Sequence, residues 1–118
     1  MKDNAFTPCP DTPNCVSSME EGSDRYLQPL RYEGTAENAR TRLIEVINGF
    51  KRTQIVESRD VYIRATFTSF LFRFADDVEF LFDENEKLIH MKSASRSGSY
   101  DFGVNRRRCE AIRQRFRQ

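Results

Sequence analysis

Residues 61–68 alternate between apolar and more polar side chains, and this pattern constrains the fold of the chain most strongly. A period of two predicts a β-strand with one buried face, because successive side chains of a strand point to opposite sides. Further strands are predicted at 53–58, 77–83 and 87–94. Short turns can join only antiparallel neighbours, so the four segments predict a four-stranded antiparallel meander.

Two helices flank the predicted meander. Residues 36–50 carry apolar side chains at three- and four-residue steps, which is the period of an amphipathic helix, and Thr35 is its predicted N-cap. A second helix follows the polar loop 95–101 and runs to about Phe116. Its apolar stripe comprises Phe102, Cys109, Ile112 and Phe116.

The length of 118 residues predicts a single domain, 1–118. Residues 1–34 hold all four Pro and show no sustained periodicity, so they are predicted to form a long irregular arm before an α-β-β-β-β-α unit at 35–118. The predicted class is α+β, with both helices packed on one face of the sheet. No stretch of about 18 uncharged apolar residues is present, so no membrane span is expected.

The net charge of +1 conceals a gradient along the chain. Residues 1–24 carry a net charge of −4, residues 25–95 are balanced, and residues 96–118 carry seven Arg and a net charge of +5. A basic end can bind nucleic acid or an anionic surface, which is one alternative function. The sequence pI of 7.7 favours a solvated helix face instead, and nucleic acid is not the expected partner.

Cys9 and Cys15 frame a Pro-rich turn with a five-residue spacer, which could close a small disulfide loop in an oxidising compartment. The spacing matches neither a zinc site nor a redox pair, and His90 is the only His, so we predict no metal and no cofactor. No signal segment precedes Cys9. The chain is therefore expected to be cytoplasmic with reduced thiols, or periplasmic or envelope-associated if a leader has been removed.

The segment 93–106 holds the strongest cluster of candidate binding residues: Ser93, Ser95, Arg96, Asp101, Asn105 and Arg106. Hydroxyls, two guanidiniums and a helix N-terminus can hold a carboxylate or a phosphate. In the structural alternative, Asp101 only caps the helix and the serines face solvent. Asn105 lies in the apolar stripe and predicts a hydrogen-bond network, because an unpaired buried amide costs about 1–3 kcal/mol.

The adjacent acids Asp76 and Asp77 could act as general acid and base, although neighbouring strand residues point to opposite faces. An ion pair with Arg96 or Arg106 is the favoured interpretation. The alternative is a hydrolase-like enzyme that uses Asp76 or Asp77 with Cys15 or a Ser, although no nucleophile elbow or phosphate-binding glycine motif is present.

Six Phe lie between residues 67 and 82 and could stack bases or line a lipid-sized pocket. Their alternation favours a place in the core. Exposure of one or two is expected beside the bend, at Phe70, Phe72 or Phe74.

Three segments, at 9–18, 72–80 and 93–108, resemble in order the signatures of one family. The first reads Cys-Pro-Asp-Thr-Pro-Asn-Cys-Val-Ser-Ser, and the second Phe-Arg-Phe-Ala-Asp-Asp-Val-Glu-Phe. The third contains Ser-Arg-Ser-Gly-Ser-Tyr-Asp-Phe-Gly-Val-Asn-Arg-Arg-Arg. Over nearly its whole length the chain resembles the uncharacterised family called domain of unknown function 1499. The resemblance implies a bacterial or plastid protein and no established activity.

The family signatures include the candidate residues already named and add Asn14 and Ser17 to them. We therefore predict a small non-enzymatic domain that binds an anionic small ligand, or a group of a protein partner, at the 93–106 junction. The 9–18 loop and the pair Asp76-Asp77 would form the walls of this site, and the arm would fold back over the start of the last helix.

Overall fold

The computed structural model describes residues 6–71, 73–98 and 101–117. The elements follow the chain as β1 (Cys15–Ser17), β2 (Leu30–Arg31), α1 (Ala36–Asn48), β3 (Thr53–Arg59), β4 (Tyr62–Thr68), β5 (Ala75–Asp83), β6 (Leu88–Ser95) and α2 (Val104–Arg117). The expectations that involve Phe72 and the loop residues 99–100 lie outside the described residues.

The sheet has six strands, and its main path runs β1-β6-β5-β4-β3. β3 to β6 are antiparallel neighbours in chain order, as in a meander. The prediction of four strands preceded by a wholly irregular arm was wrong. β1 and β2 come from the arm, and they pair one after the other along the same edge of β6. An edge strand exposes unpaired N–H and C=O groups, and the arm satisfies those of β6.

Both helices pack on one face of this α+β sheet and share its apolar core. α1 begins where predicted, since Thr35 Oγ1 accepts the Asn38 N–H at 3.1 Å, and it ends at Asn48. α2 begins only at Val104, so the predicted place of Phe102 in its apolar stripe was wrong: Phe102 precedes the helix and is 75% exposed. Within the described residues, neither helix is long and apolar enough to cross a membrane.

Successive side chains of β5 and β6 point to opposite faces of the sheet, and the two faces have different surroundings. Val78, Phe80, Ile89 and Met91 are fully buried beneath the helices. The opposite face carries charged side chains, such as Glu79 and Lys92. The arm crosses this face, where the Lys92 Nζ donates to the backbone oxygen of Thr7 at 2.8 Å.

Candidate functional site

Asn105 lies at the centre of a buried polar cluster between α2 and the sheet. Its side chain is fully buried, and its Oδ1 accepts from Ser93 Oγ at 2.6 Å and from Arg108 Nη1 at 2.9 Å. Its Nδ2 lies within hydrogen-bond distance of three oxygens, the Asn14 carbonyl (3.1 Å), Ser95 Oγ (3.0 Å) and Asp101 Oδ2 (2.7 Å). The hydrogen-bond network predicted around Asn105 is therefore confirmed.

Arg108 connects this cluster to β5. Its Nη2 lies 2.8 Å from Asp76 Oδ2, and both side chains are largely buried. Sequence reasoning missed Arg108, although its position three residues after Asn105 places both on one face of a helix. The structure thus brings three of the predicted segments together around the buried Asn105 amide: 9–18, 76–77 and 93–106.

Asp76 and Asp77 point to opposite faces of the sheet, as expected for neighbours on a strand. Asp77 pairs with Arg96 at 3.0 Å and with Arg64 at 3.5 Å, on the face away from the helices. The predicted ion pair with Arg96 is therefore confirmed for Asp77, whereas the Arg106 guanidinium, the other predicted partner, donates to carbonyls of the arm instead. Arg96 and Asp77 therefore do not join the cluster around Asn105.

Two arginines of the basic helix α2 direct their guanidiniums at backbone carbonyls of the arm. Arg106 donates to Tyr26 O at 3.0 Å and to Asp24 O at 2.8 Å. Arg113 is only 8% exposed and donates to the carbonyls of Pro29 and Gln28. The interpretation of this helix as a solvated basic face was therefore wrong for these residues, whose guanidiniums contact the arm.

Cys9 and Cys15 form a disulfide, so the expectation of reduced thiols was wrong and Cys15 offers no thiol as a nucleophile. Cys109 is free and fully buried, and its burial raises the pKa of its thiol to about 12. A thiol in this state is inert at neutral pH. The arrangement of Cys15 with Asp76 or Asp77 that an enzyme would need is therefore not formed.

Two serines, Ser17 at the end of β1 and Ser18 directly after it, accept hydrogen bonds from backbone N–H groups. Ser17 Oγ accepts the Met19 N–H at 3.1 Å. Ser18 Oγ accepts the Met91 N–H at 2.9 Å and lies 2.9 Å from His90 Nδ1. Sequence reasoning missed this Ser-His pair, which joins residues far apart in the chain. Ser18 is only 3% exposed, which closes its hydroxyl to a substrate, and we interpret the pair as a structural link.

A groove of about 420 Å³ lies between the disulfide loop and the start of α2. Its lining residues are Asp11, Pro13, Cys15, Val16, Asp24, Arg25, Asp101, Gly103 and Arg106. Asp101 and Arg106 are the candidate binding residues that line it. The cluster around Asn105 lies behind it and links its two sides, because Asn105 contacts both Asn14 and Asp101.

The Asp101 carboxylate accepts hydrogen bonds from two backbone N–H groups at the start of α2. Its Oδ1 accepts the Gly103 N–H at 2.8 Å, and its Oδ2 accepts the Asn105 N–H at 3.2 Å. Burial alone would raise the pKa of this carboxyl, but these bonds and the one from the Asn105 side chain stabilise the charged form and lower the pKa below its ordinary value. The capping role predicted for Asp101 is therefore confirmed, whereas Ser93, which the same alternative expected to face solvent, is fully buried.

Arg25 is the lining residue whose polar atoms are least satisfied. Its Nη2 lies 3.4 Å from Thr12 O, whereas its Nε is buried and has no hydrogen-bond partner within the described part of the chain. No sequence signal identifies Arg25, because it lies in the arm, outside any periodic segment.

A metal site is not formed by the described residues, which contain no group of three or more His, Cys, Asp or Glu arranged to hold an ion. A search of curated proteins and one of solved structures each give no match to the chain. A family model, described as Protein of unknown function (DUF1499), matches residues 5–116 and so spans the groove and the cluster around Asn105. This match covers nearly all of the sequence, and the chain therefore belongs to the DUF1499 family.

Proposed function

We propose that this chain is a non-enzymatic binding domain that holds a small anionic group in the groove between the disulfide loop and α2. The observation that carries the proposal is the Arg25 Nε, a buried donor without a partner among the described residues, on a side chain that lines the groove. Such a donor costs about 1–3 kcal/mol. A charged oxygen that accepts from the Nε itself would recover that cost, since charge-assisted hydrogen bonds are the strong ones.

Arg106 supplies the second positive charge in the groove. The hydrogen bonds of Arg25 and Arg106 end on backbone carbonyls, which do not neutralise a guanidinium. Asp101 also keeps its charge, but its two oxygens are directed at the N–H groups at the start of α2. Two guanidiniums therefore remain available to attract an anion.

The remaining acids of the groove decide which anion fits best. Asp11 and Asp24 are exposed lining residues and would repel a multiply charged ligand. A singly charged carboxylate experiences less of this repulsion and matches the planar geometry of a guanidinium. We therefore favour a small carboxylate, or a carboxylate side chain of a partner protein, over a phosphate.

The other candidate residues take different roles in this proposal. Asp101 and Arg106 lie close enough to contact a ligand. Asn105 positions Asp101 from behind the groove, and Asn105 is itself held by Asn14, Ser93 and Ser95 and, through Arg108, linked to Asp76. Arg96, Asp77 and Ser17 lie outside the groove, and we assign them no contact with the ligand.

The test is a titration of the ¹⁵N-labelled protein with sodium acetate, followed through the Nε–H signals of its arginines, with sodium chloride at equal ionic strength as the reference. We expect a saturable shift of the Arg25 signal and a weaker response to phosphate. Arg106→Ala should lower the affinity for acetate about tenfold, which is the effect expected from losing one charge-assisted contact.

Arg96→Ala is the matched control, because Arg96 is also a hydrogen-bonded Arg, here paired with Asp77, but lies outside the groove. It should leave the affinity for acetate unchanged. Equal effects of the two substitutions, or an Arg25 signal that responds identically to acetate and chloride, would contradict the proposal.

We also propose that the protein works in an oxidising compartment, since disulfides such as Cys9–Cys15 persist there and are rare in the cytosol. In a bacterium, the origin that the family resemblance implies, this compartment is the periplasm or the cell envelope.

A further inference from the structure

The turn between β4 and β5 exposes a group of large apolar side chains. Phe70 is 71% exposed, Leu71 is 72% exposed and Phe74 is 58% exposed. Neighbouring exposed apolar side chains of this size commonly mark a surface that binds a protein or a membrane.

Hydrogen bonds between Ser69 and Phe74 close this turn. The Ser69 N–H donates to Phe74 O at 2.9 Å, and the Phe74 N–H donates to Ser69 Oγ at 2.9 Å. These two bonds close the loop at its base. The apolar side chains are therefore presented on a short protruding loop at the end of a hairpin.

The surroundings of this turn are positively charged. Residues 51–52 and 69–75 contain Lys51, Arg52 and Arg73 and no acidic residue. The Arg52 guanidinium lies 5.4 Å from the centre of the Phe70 ring, and its Nε donates to Thr68 O at 3.1 Å. An apolar tip surrounded by cations is complementary to an interface that is apolar inside and anionic at its surface.

The opposite end of the sheet has the opposite charge. The turns of a meander alternate between the two ends, so the turns at 59–61 and 83–87 lie away from the β4–β5 turn. They contain Asp60, Asp83, Glu84 and Glu86 against two cations, Arg59 and Lys87. This charge separation would orient the molecule on an anionic surface with the β4–β5 turn facing it.

We propose that the β4–β5 turn docks on membranes that contain anionic phospholipids. Phe70 and Leu71 enter the boundary between the headgroups and the acyl chains, where apolar side chains are buried, and Lys51, Arg52 and Arg73 contact the lipid phosphates. A membrane is favoured over a protein because a stable protein interface needs about 800 Å² from each partner, more than a few protruding side chains supply.

The test is cosedimentation of the full chain with vesicles of equimolar phosphatidylcholine and phosphatidylserine, compared with vesicles of phosphatidylcholine alone. We expect binding to the anionic vesicles that weakens as salt is added. Phe70→Ser combined with Leu71→Ser should reduce the partition coefficient about tenfold or more, since both side chains leave water on insertion. Arg52→Gln combined with Arg73→Gln should reduce it about twenty-five-fold, at about fivefold for each cation.

Val56→Ser is the matched control, because Val56 is an exposed apolar residue, 41% accessible, within β3 and away from the turn. It should leave vesicle binding unchanged. If the double Ser variant melts at a lower temperature than the parent protein, Leu71→Ser alone provides the test. Equal binding of parent and variant, or no binding of the parent to anionic vesicles, overturns the proposal. So does concentration-dependent self-association that the double Ser variant abolishes, because a second copy would then be the occupant.

Discussion

Replacing Asn105 by Ala removes the group that joins the arm, the sheet and α2. The Ser93 hydroxyl, on a residue with no exposure, loses its 2.6 Å acceptor, and the buried Asn14 carbonyl loses a donor at 3.1 Å. Ser95 and Asp101 are partly exposed, so water can replace their bonds. The substitution therefore leaves two buried polar groups without Asn105 as their partner.

The Ser93 hydroxyl costs about 1–3 kcal/mol when it is left without its acceptor, whereas the Asn14 carbonyl keeps the Ser95 N–H at 3.0 Å. The lost hydrogen bonds to this carbonyl and to the Arg108 guanidinium contribute about 1 kcal/mol each, so we expect Asn105→Ala to lower the free energy of unfolding by about 4 kcal/mol. In a chain of 118 residues, 1 kcal/mol corresponds to a shift of about 4 °C in Tm. The variant should therefore melt about 15 °C below the parent protein.

Urea unfolding followed by far-UV circular dichroism measures this loss, and it suits a chain that contains no Trp. Asn48→Ala provides the control, because Asn48 is exposed at the end of α1 and should change the free energy of unfolding by less than about 0.5 kcal/mol. A loss below about 1 kcal/mol for Asn105→Ala would refute the reasoning, since it would show that the buried groups around Asn105 do not depend on its amide.

Two further predictions concern the arm and the start of α2. Cys9→Ser combined with Cys15→Ser should lower the free energy of unfolding by about 2 kcal/mol, because a disulfide across a sequence separation of 6 restricts only a short loop; a loss of the same size on reduction of the parent protein is the check. The lowered pKa of Asp101 means that its charged form stabilises the folded state at pH values above the ordinary Asp range, and that this stabilisation is lost as the pH falls through the folded-state pKa. The difference in Tm between the parent protein and Asp101→Asn should therefore be present at pH 7 and disappear in acid; a difference independent of pH would contradict this reasoning.

The repeating parts of the fold could be predicted from the sequence because they depend on periodicity. The alternation over 61–68 and the three- and four-residue steps over 36–50 correspond to β4 and α1. Pairing of β1 and β2 could not be predicted, because these strands span only Cys15–Ser17 and Leu30–Arg31. Strands this short are held by the free edge of β6, which no local pattern in the arm reveals.

The candidate site was predictable in part for a similar reason. Asn105 could be identified because a polar residue interrupted an apolar stripe. Arg25 could not be identified, since its significance arises from the arm folding against α2 and from a missing partner, which only three-dimensional contacts reveal. Strand geometry was enough to predict that Asp76 and Asp77 point to opposite faces. The pairing of Asp76 with Arg108 could not be predicted, because it depends on how α2 packs on the sheet.

The contacts between the arm and α2 also determine when during synthesis the native protein can form. Asn105 reaches the Asn14 carbonyl across 91 positions of the chain, and Arg106 reaches Tyr26 across 80. Contacts of such high sequence separation form late and slow folding. The arm leaves the ribosome first but cannot dock until α2, the last helix, has been made. Until then the edge of β6 has no partner, so a nascent or translocating chain should depend on chaperones to avoid association through that edge.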